Sequence, residues 1–472
     1  MSILRISLYI SVILSGASQL QAQKVWTLPE CIDYAQKNNL QVKQNVLNIE
    51  LNKIKLEQSV AGLVPNLNGQ ATHYYNYGRT IDQYTNQFVD QRTQSNNFAL
   101  SSSVILFEGF QLQNTIRQNN YDYKASQYDE QKGRNDLSLN VVTAYVQILF
   151  NRELVSVRKG QLDASKAQVE RTRKLVESGS LAKASLLDAE SQAANEELLL
   201  INAQNQLEIS TLALAQLLDL PSAKGFDIQT PELPLPTENL LQNNPEEIYN
   251  SALKTMPEIK SAEMKIKSAE KSIAAARGGR SPRLTLGGSL GTGYSDIRNN
   301  TIVTGFQNIV VAHTANGEDV IQTLPVYGLE KIPFKQQLTD NYNKSIGFSL
   351  TIPLMNGWQT QAGINRAKIT KASADLNDQM IRLQLNKAIQ QSYVDANASL
   401  KKYYATEKAL ESLREAFRYT EQKFNVGLLN ALDYLTAKNN QNRAESDLLQ
   451  AKYDFIFKSK VLDFYMGKPL TF

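Results

Sequence analysis

Between residues 67 and 77 the chain alternates strictly. Leu67, Gly69, Ala71, His73, Tyr75 and Tyr77 fall on one face, and Asn68, Gln70, Thr72, Tyr74 and Asn76 on the other. Period two predicts a strand. The segment 98–106 repeats it, with Phe98, Leu100, Val104 and Leu106 set against Ala99, Ser101, Ser103 and Ile105. Two further segments follow the same rule. Leu284, Leu286 and Tyr294 mark one face of 284–294, and Ile346, Phe348, Leu350, Ile352 and Leu354 mark one face of 346–354. The four segments are 9 to 11 residues long, enough for a tilted strand to cross a bilayer. Leu67, Phe98, Leu100, Val104, Leu106, Leu284, Leu286, Ile346, Phe348, Leu350, Ile352 and Leu354 are then the expected lipid-facing set. Tyr75, Tyr77 and Tyr294 stand at the loop end, where an aromatic girdle belongs. A soluble hairpin with one buried face is the other reading. The long polar loops, and the lack of anything else in the chain to cover four such strands, weigh against it.

After Gly109 and Gly357 the period lengthens. Val141, Ile148, Val155, Leu162, Val169 and Val176 recur every seven residues, as do Ile389, Ala396, Tyr403, Leu410, Phe417 and Phe424. A strict seven-residue repeat implies left-handed supercoiling of helices. Residues 110–177 contain no proline and as one helix would run roughly 100 Å. Gly179 and Gly427 break the pattern and turn the chain back. The returning helix continues it through Leu186, Ala193, Leu200, Leu207 and Leu214. A shorter helix, 28–63, precedes the strands and is stopped by Pro65.

The chain is duplicated, and repeats decide architecture. Residues 39–77 match 256–294 at a shift of 217, and Phe98 onward matches at a shift of 248, carrying Gly109 onto Gly357 and Gly179 onto Gly427. The difference of 31 is one insertion, between Tyr294 and Ile346. The expected organisation is a signal peptide at 1–22, a first repeat at 23–219, a proline-rich linker at 220–244 and a second repeat at 245–472. The first repeat holds a helix, a hairpin at 67–106, a long helix at 110–177 and a helix at 182–218. The second holds a helix, strands 284–294 and 346–354 around a long extracellular loop 295–345, a long helix 358–425 and a helix 430–466.

Arg5, the apolar run after it and the small residue Ala22 read as a secretory leader, too short to span a membrane. Cys31 follows Glu30, where lipid attachment needs a small residue, and reads as a buried apolar-like position. As the chain's lone cysteine it excludes an internal disulfide framework and a Cys-cluster zinc site. His73 and His313, the two histidines, read as strand or surface-loop residues. No metal and no cofactor are expected. With 50 basic against 46 acidic residues, nucleic acid held through phosphate contacts is not expected either. Gly287, Gly288, Gly291 and Gly293 lie inside a strand with no helix opening after them, which is the wrong context for a dinucleotide loop; small residues on a crowded strand fit better. The run Arg171-Thr172-Arg173-Lys174 reads as a solvated helix face. Nothing converges as catalytic chemistry.

Four membrane strands cannot close a barrel, since single chains start at eight, and an open edge in lipid leaves backbone groups unsatisfied. Three copies give twelve strands around a lumen. The expected fold is therefore a membrane α+β architecture. Each chain supplies four transmembrane strands and long coiled-coil helices. Three chains form a 12-stranded β-barrel continuous with a periplasmic α-helical barrel. A coiled-coil periplasmic adaptor or scaffold without a pore is the rival reading, though no lipoyl-like β-domain is legible.

The opening Trp26-Thr27-Leu28-Pro29-Glu30-Cys31, the strand-end turns Leu106-Phe107-Glu108-Gly109 and Leu354-Met355-Asn356-Gly357, the tip Val426-Gly427-Leu428 and the duplication itself resemble the TolC-type outer-membrane efflux protein family over nearly all of residues 25–470. The resemblance implies a homotrimeric tunnel in the outer membrane of a Gram-negative bacterium. It would sit in outer-membrane lipid and be met at its periplasmic tip by an adaptor protein and, through it, an inner-membrane pump. It also implies tip residues for the adaptor, here Ser178, Gly179, Ser180, Val426, Gly427 and Leu428. The family's aperture pattern is a tip glycine with Asp six residues later, matched by Gly427 and Asp433. In the first repeat that spacing lands on Ser185, with Asp188 three further. The family's aperture Tyr and Arg are replaced by Phe424 and Leu429, so closure by apolar contact is expected in place of an ionic lock. Asp433 keeps two readings: a carboxylate ring favouring cations, or a capping or solvent-facing residue of the returning helix.

Overall fold

The computed structural model describes residues 25–82, 84–90, 92–233, 235–237 and 244–471; the leader expected at 1–22 lies outside the described residues. In chain order the elements are β1 (Val25–Trp26), α1 (Leu28–Asn38), α2 (Leu40–Ala61), β2 (Asn66–Asn76), β3 (Arg79–Ile81), β4 (Phe88–Asp90), β5 (Thr93–Glu108), α3 (Gln111–Glu177) and α4 (Lys183–Leu217). The second half continues with β6 (Asp227–Ile228), α5 (Pro245–Thr255), α6 (Pro257–Gly278), β7 (Arg283–Ser295), β8 (Asn299–His313), β9 (Asp319–Lys331), α7 (Phe334–Asp340), β10 (Asn343–Thr351), α8 (Gln359–Asn425) and α9 (Ala431–Tyr465). Two compact units result. Among the described residues, one gathers those of 25–53, 121–266 and 373–471; the other gathers those of 54–120 and 267–372.

The second unit carries an antiparallel sheet in the order β10-β7-β5-β2. Each half of the duplication contributes one hairpin, and the halves join where β5 pairs with β7. Among the described residues, both outer strands, β10 and β2, keep one edge unpaired.

Where the sequence pattern leaves a loop at 295–345, the chain folds most of it. β8 and β9 pair along their whole length, and α7 follows. The pairing slips by one residue between Val303 and Gly305 and again between Val310 and Ala312. The extra residues, Thr304 and Val311, each shift the alternation by one and so break the period-two signal along β8. The register places Val303 opposite Tyr327, Phe306 opposite Pro325 and Val310 opposite Ile321, all on one exposed face of the ribbon.

In the helical unit the duplication is repeated in the core. One cluster contains Cys31, Ala35, Val42, Leu137, Val141, Ile148 and Leu214; the other contains Ile248, Ala252, Ile259, Leu385, Ile389, Ala396 and Leu462. Each pair in order keeps the shift of 217 or 248. Cys31 is fully buried. Both repeats open with a capping box, Thr27 with Glu30 and Asn244 with Glu247, each side chain accepting the other's backbone N–H. The linker region is more than a tether. β6 pairs in parallel with β1, and the Tyr145 hydroxyl donates to the Gln229 carbonyl at 2.6 Å. Arg152 reaches the Ile228 carbonyl at 2.9 Å.

The heptad positions Val141, Ile148, Leu162 and Val169 of α3, and Ile389, Ala396, Tyr403 and Leu410 of α8, are buried. On α4 the buried column differs from the apolar one. Leu186, Ala193, Leu200 and Leu207 are half-buried, while Ala189, Glu196, Ala203 and Ser210, three residues later at the same spacing, are buried. Small and polar side chains line that contact, so a count of apolar positions picks the neighbouring column.

Candidate functional site

The sheet separates its faces cleanly. Because paired residues share a side, the register assigns Leu67, Phe98, Leu100, Val104, Leu284, Leu286, Ile346, Phe348 and Leu350 to one face. The opposite face carries Asn68, Gln70, Thr72, Tyr74, Asn97, Ser101, Ser289, Ser345 and Ser349. Three expected lipid-face residues fall elsewhere. Leu106 is the extra residue of a bulge, and Phe107 stands opposite Leu284 in its place. Ile352 and Leu354 lie past the end of β10, which stops at Thr351 before Pro353. Tyr75 and Tyr294 sit on the apolar face at one end of the sheet, while Tyr77 follows the end of β2. Phe334 of α7 joins them, packing on Tyr294 and Phe98 with centroids 5.2 and 6.5 Å away. Sequence reading missed Phe334, which lies in the inserted segment and has no counterpart in the first repeat.

The polar face is roofed at the same end. The segment between β2 and β5 folds over it, leaving a partly open cavity of about 430 Å³ lined by Gln70, Thr72, Tyr74, Asn97, Ile81 and Tyr84, among others. Gly293 is required by this close approach: a Cβ there would lie 1.6 Å from the Tyr84 hydroxyl oxygen. His73 stands in β2, hydrogen-bonded to Asn96, and His313 ends β8 in an exposed contact with Asp319 at 2.7 Å.

The helical unit contains a buried polar seam. Asn442 on α9 donates to Glu196 Oε1 on α4 at 3.0 Å, and Gln192 donates to the same oxygen at 2.9 Å. Glu196 Oε2 has no hydrogen-bond partner among the described residues. Lys438, buried on α9, donates to Ser165 Oγ on α3 at 3.0 Å. Burial lowers the Lys438 pKa, against the opposing pull of Glu196 and Glu421. A carboxylate and an ammonium held in one seam are costly to desolvate and strongly position the helices that share them.

At the helix-to-helix turns, Gly179 and Gly427 adopt φ of +73° and +77°, the left-handed conformation that ends a helix at low cost. The closing bonds match: Ser180 N–H donates to the Leu175 carbonyl at 2.8 Å, and Leu428 N–H to the Lys423 carbonyl at 2.9 Å. The turns differ in chemistry. Ser178 and Ser180 flank Gly179, and their hydroxyls lie 3.1 Å apart. Val426 and Leu428, 70% and 73% exposed, flank Gly427. Phe424 is half-buried against Tyr434, and Leu429 is half-buried. Asp433 and Asp188 are exposed. The cap of α9 is Asn430, whose side chain accepts the Asp433 backbone N–H at 2.8 Å; Asp433 itself sits within the first turn.

Among the described residues, no helix is long and apolar enough to cross a membrane, and no group of three His, Cys, Asp or Glu is placed to hold a metal. The profile of the outer membrane efflux protein family matches residues 31–219 and 248–468, one block per repeat. The chain belongs to that family. As an outer membrane efflux channel it resembles the efflux protein BepC of Brucella suis, with 21% identity over 96% of this chain and 88% of that one. It also resembles the outer membrane protein TolC of Vibrio cholerae, with 23% identity over 94% and 91%. The channel shares its fold with VceC from Vibrio cholerae at a TM-score of 0.74, 16% identity and coverage of 94% and 96%. CmeC from Campylobacter jejuni gives a TM-score of 0.71 at 18% identity, covering 94% and 87%. Membership of the efflux protein family sets the pore-less adaptor reading aside.

Proposed function

We propose that three copies of this chain close a twelve-stranded barrel by pairing β10 of one copy with β2 of the next, and that the barrel conducts solutes passively outward. The single observation that carries this reading is the sheet itself: four strands with one apolar face, one polar face and two unpaired edges. In lipid each unpaired edge group costs several kcal/mol, which only closure removes. Leu67, Phe98, Leu100, Val104, Leu284, Leu286, Ile346, Phe348 and Leu350 then face lipid, with Tyr75, Tyr294 and Phe334 at the interface. Ser178–Ser180 and Val426–Leu428 meet a periplasmic adaptor, which links the channel to an inner-membrane pump. Phe424 and Leu429 line the periplasmic aperture, and the exposed Asp433 and Asp188 add carboxylates beside it. The test is recovery of the full chain in the outer-membrane fraction as a band that migrates as a trimer unheated and as a monomer after boiling. A monomer in the soluble periplasmic fraction overturns the reading. Cross-linking from Val426→Cys that captures no adaptor overturns the tip assignment alone.

A further inference from the structure

Asp82 lies in the segment between β2 and β5 and is 5% exposed, yet among the described residues no cationic side chain pairs with its carboxylate. Its charge is held by hydrogen bonds instead. Oδ1 accepts the backbone N–H of Thr85 at 2.8 Å and of Tyr84 at 3.1 Å, and the Thr85 hydroxyl at 3.0 Å. Oδ2 accepts the hydroxyl of Ser295, at the end of β7, at 2.5 Å. Ser295 is wholly buried and is itself fixed: its N–H donates to Gln337 Oε1 at 3.0 Å, and its carbonyl accepts Gln337 Nε2 at 2.9 Å. Gln337, 1% exposed on α7, also donates to the Ile332 carbonyl at 3.0 Å. A buried carboxylate satisfied in this way is expensive to release, because each lost donor leaves charge desolvated without compensation.

The latch determines where the loop lies. It holds Tyr84 over Gly293, on the face that carries Gln70, Thr72 and Asn97. We propose that Asp82, latched to the Ser295 hydroxyl that Gln337 helps to fix, holds the β2–β5 loop inside the pore mouth, where it sets the size of solute that passes. This rests on the reading that the polar face lines the lumen. Asp82 is a positioning residue here, and Tyr84 is the group that narrows the path. Polar lining groups at such a rim sort neutral and charged solutes by size and hydrogen bonding.

The experiment uses Thr72→Cys in the full chain in intact cells, with the parent, whose lone Cys31 is buried, as the blank. A small membrane-impermeant methanethiosulfonate and a bulky maleimide-polymer are applied from outside. The small reagent is expected to label Thr72→Cys and the bulky one to label it slowly. Adding Ser295→Ala should raise the bulky rate roughly tenfold or more, the worth of one hydrogen bond to a buried carboxylate, while trimer migration stays unchanged. Equal bulky rates with and without Ser295→Ala overturn the latch. Failure of the small reagent to label any variant overturns the lumen assignment, and the proposal with it. Should Ser295→Ala fail to assemble, Tyr84→Ala leaves the latch intact and removes the ring above Gly293. A bulky rate unchanged by that substitution again overturns the proposal.

Discussion

Phe424 stacks on Tyr434, with ring centroids 4.6 Å apart and 24° between the planes. The contact closes the last turn of α8 onto the first turn of α9, and Phe417 adds a second ring to Tyr434 at 5.5 Å. Burial pushes the Tyr434 hydroxyl up to about 12, so the ring stays neutral over the whole physiological range. Stacked aromatic pairs contribute about 0.5–1.5 kcal/mol beyond area burial. Phe424→Leu is therefore expected to keep the fold and to speed amide hydrogen exchange selectively at residues 424–434. Exchange that accelerates equally at Val176 and Lys183, in the first-repeat turn, would show that the pair has no local role.

The two returning helices start differently. α9 is capped by the Asn430 side chain, whereas the equivalent residue of α4, Ala182, makes no side-chain cap. An Asn-to-Ala change at a cap costs about 1 kcal/mol. Asn430→Ala should destabilise the first turn of α9 by about that amount, and Ala182→Asn should stabilise α4 by a similar amount. Hydrogen exchange at Asp433 and Ser185 reads both; opposite signs support the assignment, and no change at either position sinks it.

Lys438 gives the helical seam a pH dependence with a definite sign. Burial lowers its folded pKa below the ordinary lysine value of 10.5. Between the two values the unfolded chain holds more protons than the folded one, so stability rises with pH through that window. Below it the full cost of a buried ammonium is present. Tyr145 and Tyr453, whose hydroxyls burial also raises, act in the opposite direction above pH 10, but they are common to the parent and to Lys438→Met. The stability difference between those two proteins should therefore move in the parent's favour as pH rises toward 10.5, by roughly 1.4 kcal/mol per unit of pKa displacement. Parallel curves from calorimetry or denaturant unfolding at each pH would rule this out.

The strands and long helices were legible because each obeys one period over many residues. Leu67 to Tyr75 and Phe98 to Val104 keep period two, and Val141 to Val169 keep period seven. Three kinds of feature escaped. Bulges at Leu106, Thr304 and Val311 shift the period by one residue, which hides the β8–β9 ribbon and misplaces Leu106. Contacts made by small or polar side chains, such as Ala189, Glu196 and Ser210, carry no apolar signal. The latch at Asp82 joins residues 213 positions apart through hydrogen bonds, and nothing in local composition marks a buried carboxylate without a cation. The tip glycines are legible because they interrupt the seven-residue pattern; the pattern offers Asp433 as a cap, whereas the cap is Asn430, three residues earlier.

Adjacent residues of β10 offer the sharpest test of which face meets lipid. Phe348 pairs with Leu286 on the apolar face, and Ser349 pairs with Thr285 on the polar one. An arginine on the lipid face of a barrel costs about 2–4 kcal/mol near the bilayer midplane, while one in the lumen mainly changes ion selectivity. Phe348→Arg should therefore reduce folding into lipid vesicles and the yield of heat-modifiable trimer. Ser349→Arg should assemble at close to the parent level and shift planar-bilayer selectivity toward anions, because three added cations would stand in one ring of the pore. If Phe348→Arg assembles normally and Ser349→Arg does not, the faces are reversed and the sheet is inside out relative to the barrel proposed for it.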